Sequence, residues 1–218
     1  MSDVRLYLCD GGTITLPLRF FRQGEGAQGE MIATPVSWSL LTHPRGNVLI
    51  DGGNAPAVAL DAAAHLGAVT DTTVVEMQPE QAVLPTLERL GIAPESIRFV
   101  LQTHLHFDHT GALAVIEQLP NAQVVATRTE YEWAFGPYSA DDRLYIRADY
   151  VKSGVDWLLL DETDDGYDLF DDGVLRCWRT PGHAPGHQSL EIHLPSGAAF
   201  LLAVDAAYTV DHLEERAH

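Results

Sequence analysis

The stretch Thr103–Gly111, THLHFDHTG, sets three histidines and one aspartate within the six positions 104 to 109. Before it stands Phe99-Val100-Leu101-Gln102, a short apolar run of the kind that makes a buried strand, and after it residues 110–119 carry a helical pattern. A strand-to-helix loop is therefore expected. Side chains alternate along an extended chain, so His104, His106 and Asp108 project to one side, and the turn into the helix brings His109 round to join them. Imidazole nitrogen and carboxylate oxygen together suit zinc, and also manganese, iron or cobalt. Chance assembles H-x-H-x-D-H in about two of a thousand chains of this composition, too few to make a solvated polar loop the better reading.

Two further strand ends carry the same kinds of donor. Leu175–Arg179 reads as a strand and runs into Thr180-Pro181-Gly182-His183-Ala184-Pro185-Gly186-His187, where prolines and glycines fix the backbone around two histidines. Ser189–Leu194 and Ala199–Val204 then form a hairpin around Pro195-Ser196-Gly197, and the second arm ends at Asp205. Earlier, Val48–Asp51 also ends on a carboxylate. An acid there is either a turn cap or a partner that orients a ligating imidazole, and the sequence leaves both open for Asp51. His65 reads as an isolated surface residue, and His193 as an outward-facing strand residue.

Outward from these loops, Val4–Cys9 and Thr13–Leu18 read as a hairpin turning at Asp10-Gly11-Gly12. Residues 22–34 read as a long surface loop, with Phe20, Phe21 and Met31 beside it available for a pocket, a subunit contact or plain packing. Val36–Thr42 and Val48–Asp51 form a second strand pair. A helix is expected over 79–91, with Gly91 as its stop and Pro85 either in its first turn or kinking it. A strand at 123–126 and helices at 128–135 and 141–151 follow, with Tyr131, Trp133, Tyr145 and Tyr150 as core. Residues 161–172 read as an acidic, solvated hairpin or loop. No repeat, low-complexity tract or linker interrupts the chain, so residues 1–218 are expected to form one domain.

Composition narrows the partners. The 31 acidic and 13 basic side chains give a net charge of −18, which repels phosphate backbones and anionic lipid and leaves small molecules as the easier substrates. No apolar run approaches the roughly 18 residues a membrane span needs. Cys9 and Cys177 are too few for a disulfide framework, and the first residues lack a basic stretch leading into a long apolar one. A cytoplasmic protein with two unpaired thiols is expected.

Together, HLHFDH after a strand, TPGHAPGH after a strand, an aspartate closing a later strand and two strand-rich halves resemble the metallo-β-lactamase superfamily. HLHFDHTG, RTPGHAPGHQSL and LLAVDAAYT further resemble its N-acyl-homoserine lactonases, the quorum-quenching hydrolases. The resemblance implies an α+β fold, the four-layer αβ/βα sandwich, with metals in the cleft where strand ends meet. By the same similarity His104, His106 and His183 bind one divalent cation, Asp108 and His109 bind a second, and Asp205 bridges the two. His187 matches a supporting position, and Tyr208 matches the lactonase tyrosine that points at the substrate carbonyl. The family draws a further histidine for the second cation from a C-terminal helix and strand. This chain ends at His218, 13 residues past Asp205, with His212 and His218 too near Asp205 to replace it, so an incomplete chain lacking that last helix and strand is expected.

The chemistry such a set permits is hydrolysis by a hydroxide between two cations, opening the lactone ring of an N-acyl-homoserine lactone. Tyr208 is expected to donate to the developing oxyanion and Asp108 to pass the proton to the leaving alkoxide. Phe107 either shapes the substrate pocket or packs a helix. The rivals are a thioesterase resembling glyoxalase II, which would bring a basic C-terminal helical domain, and a metal-depleted inactive form. A homodimer is a further option, since the loop at 22–34 is similar to the family's dimer-forming region.

Overall fold

The computed structural model describes residues 4–21, 29–161 and 166–209. Eleven strands are present among them: β1 Arg5–Pro17, β2 Met31–Thr42, β3 Asn47–Ile50, β4 Val74–Glu76, β5 Ile97–Leu101, β6 Gln123–Thr127, β7 Trp157–Leu160, β8 Tyr167–Asp168, β9 Leu175–Arg179, β10 Gln188–His193 and β11 Ala199–Leu202. The α-helices are α1 Val58–Leu66, α2 Val83–Leu90, α3 Gly111–Ala114, α4 Arg128–Phe135 and α5 Arg147–Tyr150. Seven strands form one sheet in the order β4-β1-β2-β3-β5-β6-β7, and four form a second in the order β11-β10-β9-β8. Strands β3, β5, β6 and β7 run parallel, so their C-terminal ends lie along one edge.

β5 shows why the layers stack. Val100 turns to the helices, in a cluster with Leu40, Leu49, Leu87, Leu113 and Tyr150. Phe99 and Leu101 turn the other way, against Leu175, Cys177, Leu190 and Ile192 of the second sheet. A strand covered on both faces must be apolar on both, unlike one that faces water. Each fully buried aliphatic side chain here contributes about 1.5–3 kcal/mol. Helices, first sheet and second sheet are three successive layers of the αβ/βα sandwich. No α-helix follows β8–β11 among the described residues.

Several expectations change. Asp10-Gly11-Gly12 is not a hairpin turn: β1 pairs with β2 on both sides of it, Asp10 with Ser37 and Thr13 with Pro35. The extra residue is a bulge, made possible by Gly12 at φ +108°, and Pro35 sits opposite it, where a missing N–H is tolerated. β2 begins at Met31, so the loop is shorter than 22–34, and residues 22–28 lie outside the described ones. The helix after the histidine motif is a single turn, α3, followed by a 3-10 turn at Ile116–Gln118, and α5 spans only Arg147–Tyr150 of the expected 141–151. Leu169 and Phe170, inside the supposedly solvated acidic stretch, are buried. Helix α2 holds Pro85 in its first turn and stops at Gly91 in the left-handed conformation, φ +68°.

Candidate metal centre

The site is built from strand ends. Asp51 follows β3, residues 103–109 follow β5, residues 180–187 join β9 to β10, and Asp205 lies in a 3-10 turn just after β11. The Asp51-Gly52-Gly53 turn presses against the start of α3, where the Gly111 N–H donates to Gly53 O at 2.8 Å. A Cβ at Gly52 would overlap the backbone of Ala112, so the approach needs glycine. The two histidine loops are tied directly: Gln188 N–H donates to Thr103 O at 3.0 Å and Gln188 Nε2 to Gln102 O at 2.8 Å.

His104 is the centre of the cluster. It is fully buried, and its ring lies 4.1 to 5.2 Å from those of His106, His109, His183 and His187. His106 Nδ1 and His183 Nε2 stand 2.8 Å apart. Asp205 Oδ2 lies 3.2 Å from His183 Nε2, 3.7 Å from His109 Nε2 and 3.9 Å from His104 Nε2. Asp108 Oδ2 is 3.6 Å from His109 Nε2. The donors fall into two overlapping groups, His104/His106/His183 and His104/His109/Asp205.

Hydrogen bonding shows whether these groups suit a cation. Asp51 accepts from Thr103 N–H and from the Thr103 hydroxyl, both at 2.8 Å, and from His109 Nδ1–H at 2.9 Å. With Nδ1 committed to Asp51, His109 presents its Nε2 to Asp205 and Asp108. His104 Nδ1, 3.2 Å from Thr103 Oγ1, donates there for the same reason, since that hydroxyl's proton faces Asp51. Its Nε2 is buried without a partner. An acceptor nitrogen sealed from water, facing a carboxylate and other imidazoles, is a metal ligand's arrangement. Tetrahedral zinc with bonds of about 2.0–2.1 Å places its ligands roughly 3.3 Å apart. The 3.2 Å His183–Asp205 spacing matches that figure, and the His106–His183 pair needs to open by about half an ångström.

Electrostatics agrees with the donor chemistry at His104, His106 and His183, whereas His109 holds a second proton that a cation would have to displace. Burial, reinforced by the neighbouring imidazoles, holds His104 and His106 well below the ordinary histidine range, so both are neutral. Burial also lowers His183, against the pull of Asp205, and takes His187 down to about 4. His109 is raised: burial opposes its charge, but Asp108, Asp51 and Asp205 outweigh it. Desolvation pushes Asp108 up to about 6, with Asp205 adding to it and His109 opposing. Asp205 goes the other way, its burial outweighed by His109 and the neighbouring histidines.

His187 stands outside both groups of donors. Its Nδ1 faces Thr180 Oγ1 at 2.9 Å and Thr180 O at 3.2 Å, while its Nε2 accepts the Asp205 N–H at 3.3 Å. It orients the turn that presents Asp205. Val204, one residue earlier, has φ +53°, a conformation costing a β-branched residue about 1–3 kcal/mol. Tyr208 bonds His183 Nδ1 and meets Phe21 edge-on at 4.8 Å. Both rings border a cleft of about 760 Å³ whose lining includes His106, His109 and His183 beside Ile14, Val36 and Trp38. Phe107 also borders it but is 4% exposed and packed with Val58 and Met77, so most of its ring is core.

The structure adds residues the sequence did not single out. His65 is not an isolated surface residue: its Nε2 lies 3.0 Å from Asp149 Oδ1, and Asp149 Oδ2 accepts the Thr110 hydroxyl beside His109 at 3.1 Å. Glu130 is buried between the two histidine loops. The available signal was Thr127-x-x-Glu130, a helix-capping pattern that by itself points only to a helix start. His212 and His218 lie outside the described residues.

Two packed sheets, with histidines and carboxylates meeting at their strand ends, define a metal-centre αβ sandwich. The chain belongs to the metallo-beta-lactamase superfamily, whose sequence profile matches residues 31–213. It is similar to the N-acyl homoserine lactonase AttM of Rhizobium radiobacter, 44% identical over 220 positions that cover 100% of this chain and 81% of the relative. An N-acyl homoserine lactonase of Bacillus thuringiensis is 29% identical over 188 residues, covering 86% of this chain and 70% of that protein. Among solved structures it is similar to an N-acyl homoserine lactone hydrolase with the product N-hexanoyl-L-homoserine bound at its catalytic metal centre. That likeness has a TM-score of 0.84 at 26% identity and covers 100% of this chain and 81% of the other.

Proposed function

We propose that the chain is a metal-dependent hydrolase that opens the lactone ring of N-acyl-homoserine lactones and so quenches quorum signalling. The observation that carries this is the buried, unpartnered Nε2 of His104, packed against the imidazoles of His106, His109 and His183 that line an apolar-walled cleft. The full-length similarity to lactonases supplies the substrate class. His104, His106, His183 and Asp205 would hold one divalent cation, and Asp108, His109 and Asp205 a second. Zinc is the first choice for this donor set, with manganese, iron or cobalt as alternatives. When bound, such cations would lower the pKa of a coordinated water and polarise the ester carbonyl. The protein's own groups complete the reaction. Asp51 fixes the His109 ring, and His187 fixes the Asp205 turn. His183 Nδ1–H donates to Tyr208 Oη, which leaves the phenol proton for the carbonyl oxygen as charge develops on it. Asp108 takes the proton from the attacking water and returns it to the leaving alkoxide.

The same reading places the enzyme in the cytoplasm, supported by two buried free thiols, Cys9 and Cys177. No described helix is long and apolar enough to cross a membrane. The exposed Phe20 and Met31 offer apolar surface that a second copy would cover in a homodimer. The net charge of −18 speaks against nucleic-acid partners, and residues 1–218 are read as a single metallo-hydrolase domain. Elemental analysis beside a pH-stat assay of homoserine lactone opening tests the proposal. About two metals per chain with turnover is the expected result; a loaded protein that leaves lactones intact and cleaves thioesters instead would refute it.

A further inference from the structure

Glu130, in the first turn of α4, is 1% exposed and contacts both histidine loops. Its Oε1 accepts Leu105 N–H at 2.9 Å, between His104 and His106, and its Oε2 accepts Gly186 N–H at 3.0 Å, next to His187. Oε1 also accepts the Tyr145 hydroxyl at 2.9 Å, and the Tyr145 ring meets His106 edge-on at 4.7 Å. Thr127 grips Gly186 through its other backbone group, donating to Gly186 O at 2.7 Å while it caps Glu130 N–H at 3.2 Å. A Cβ at Gly186 would overlap the Glu130 backbone nitrogen and Thr127 Oγ1, so the loop lies directly on the helix start.

A capping pattern usually returns its glutamate to the helix's own N-cap N–H. Here the carboxylate instead takes donors from two distant loops and one ring. A buried carboxylate is costly unless its oxygens are satisfied, and three donors converge to satisfy this one. We infer that Glu130 is a positioning residue for the metal centre: one carboxylate sets the spacing between the His104–His106 pair and the His183–His187 loop. This rests on the metal-centre reading above. Its effect is transmitted through Leu105, Gly186 and Tyr145, none of which is a ligand.

The test is cobalt loading of the full chain, wild type against Glu130→Gln and Thr127→Val, followed by absorption spectra and chelator competition. Glutamine keeps the size but offers a single acceptor oxygen, so one loop loses its anchor. A folded Glu130→Gln protein with a displaced cobalt band and about tenfold weaker metal retention is expected, its kcat for the lactone lowered with KM within twofold of wild type. Wild-type spectrum and retention in that folded variant would overturn the inference. Should Glu130→Gln fail to fold, Thr127→Val decides: a smaller shift of the same sign supports the positioning role, and an unshifted spectrum overturns it. Wild-type protein that takes up no cobalt would remove the metal-centre reading itself, an outcome separate from either variant result.

Discussion

Asp51 Oδ2 lies 2.9 Å from His109 Nδ1, joining residues 58 positions apart, while both Asp51 oxygens also hold Thr103. One side chain thereby fixes the start of the histidine loop and the proton position on its last imidazole. Asp51 itself sits at φ +59°, a left-handed conformation that aspartate tolerates better than most residues. In Asp51→Asn one of the three donors would face an amide N–H₂, and His109 would be free to move its proton to Nε2. Partners of this kind typically contribute 10–100-fold to metal affinity. Competition with a chelator should show a loss in that range, and wild-type retention would dismiss Asp51 as a mere turn residue.

Asp205 stands within 3.9 Å of three imidazole nitrogens, drawn from both donor groups. Asp205→Ala should therefore strip metal as well as activity, where loss of a ligand to one cation would leave the other in place. Elemental analysis of the purified variant checks this. Retention of the full wild-type metal content would show that the carboxylate does not bridge.

Tyr208 should behave in the opposite way. Its hydroxyl bonds the His183 ring from the cleft side, so Tyr208→Phe removes a hydroxyl donor and leaves that imidazole in place. Loss of a comparable oxyanion donor slows turnover about 10²–10³-fold. Metal content should stay at the wild-type level while kcat falls; unchanged turnover would leave Tyr208 as packing against Phe21.

Much of this was legible in the chain. Donor type and spacing are local properties, so HLHFDH and TPGHAPGH announce themselves, and the flanking apolar runs give β5 and β9 correctly. What the sequence hid depends on distant partners. Asp10-Gly11-Gly12 carries turn chemistry, yet pairing of β1 with β2 on both sides converts it into a bulge. His65 lacks local context because its partner, Asp149, is far along the chain. Glu130 carries no local signal beyond capping, because the groups it binds, at Leu105 and Gly186, come together only when both sheets have packed.

His65 and His187 should pull stability in opposite directions with pH, which urea melts of the metal-free protein can resolve. Burial, opposed by Asp205, lowers His187 to about 4 from an unfolded value near 6.5. Between those values the unfolded chain binds a proton that the folded ring refuses. The stability from His187 is therefore complete above pH 6.5 and is lost as the pH falls toward 4, by at most about 1.4 kcal/mol per pH unit. His65 is raised, first by its bond to Asp149, against burial. Its contribution is complete below pH 6.5 and is lost as the pH rises through its folded value. His187→Gln should thus make the acid limb of the stability profile shallower, and His65→Gln should cost stability at pH 5.5 while costing less at pH 8. Parallel profiles for wild type and both variants would show that neither ring's proton is linked to folding.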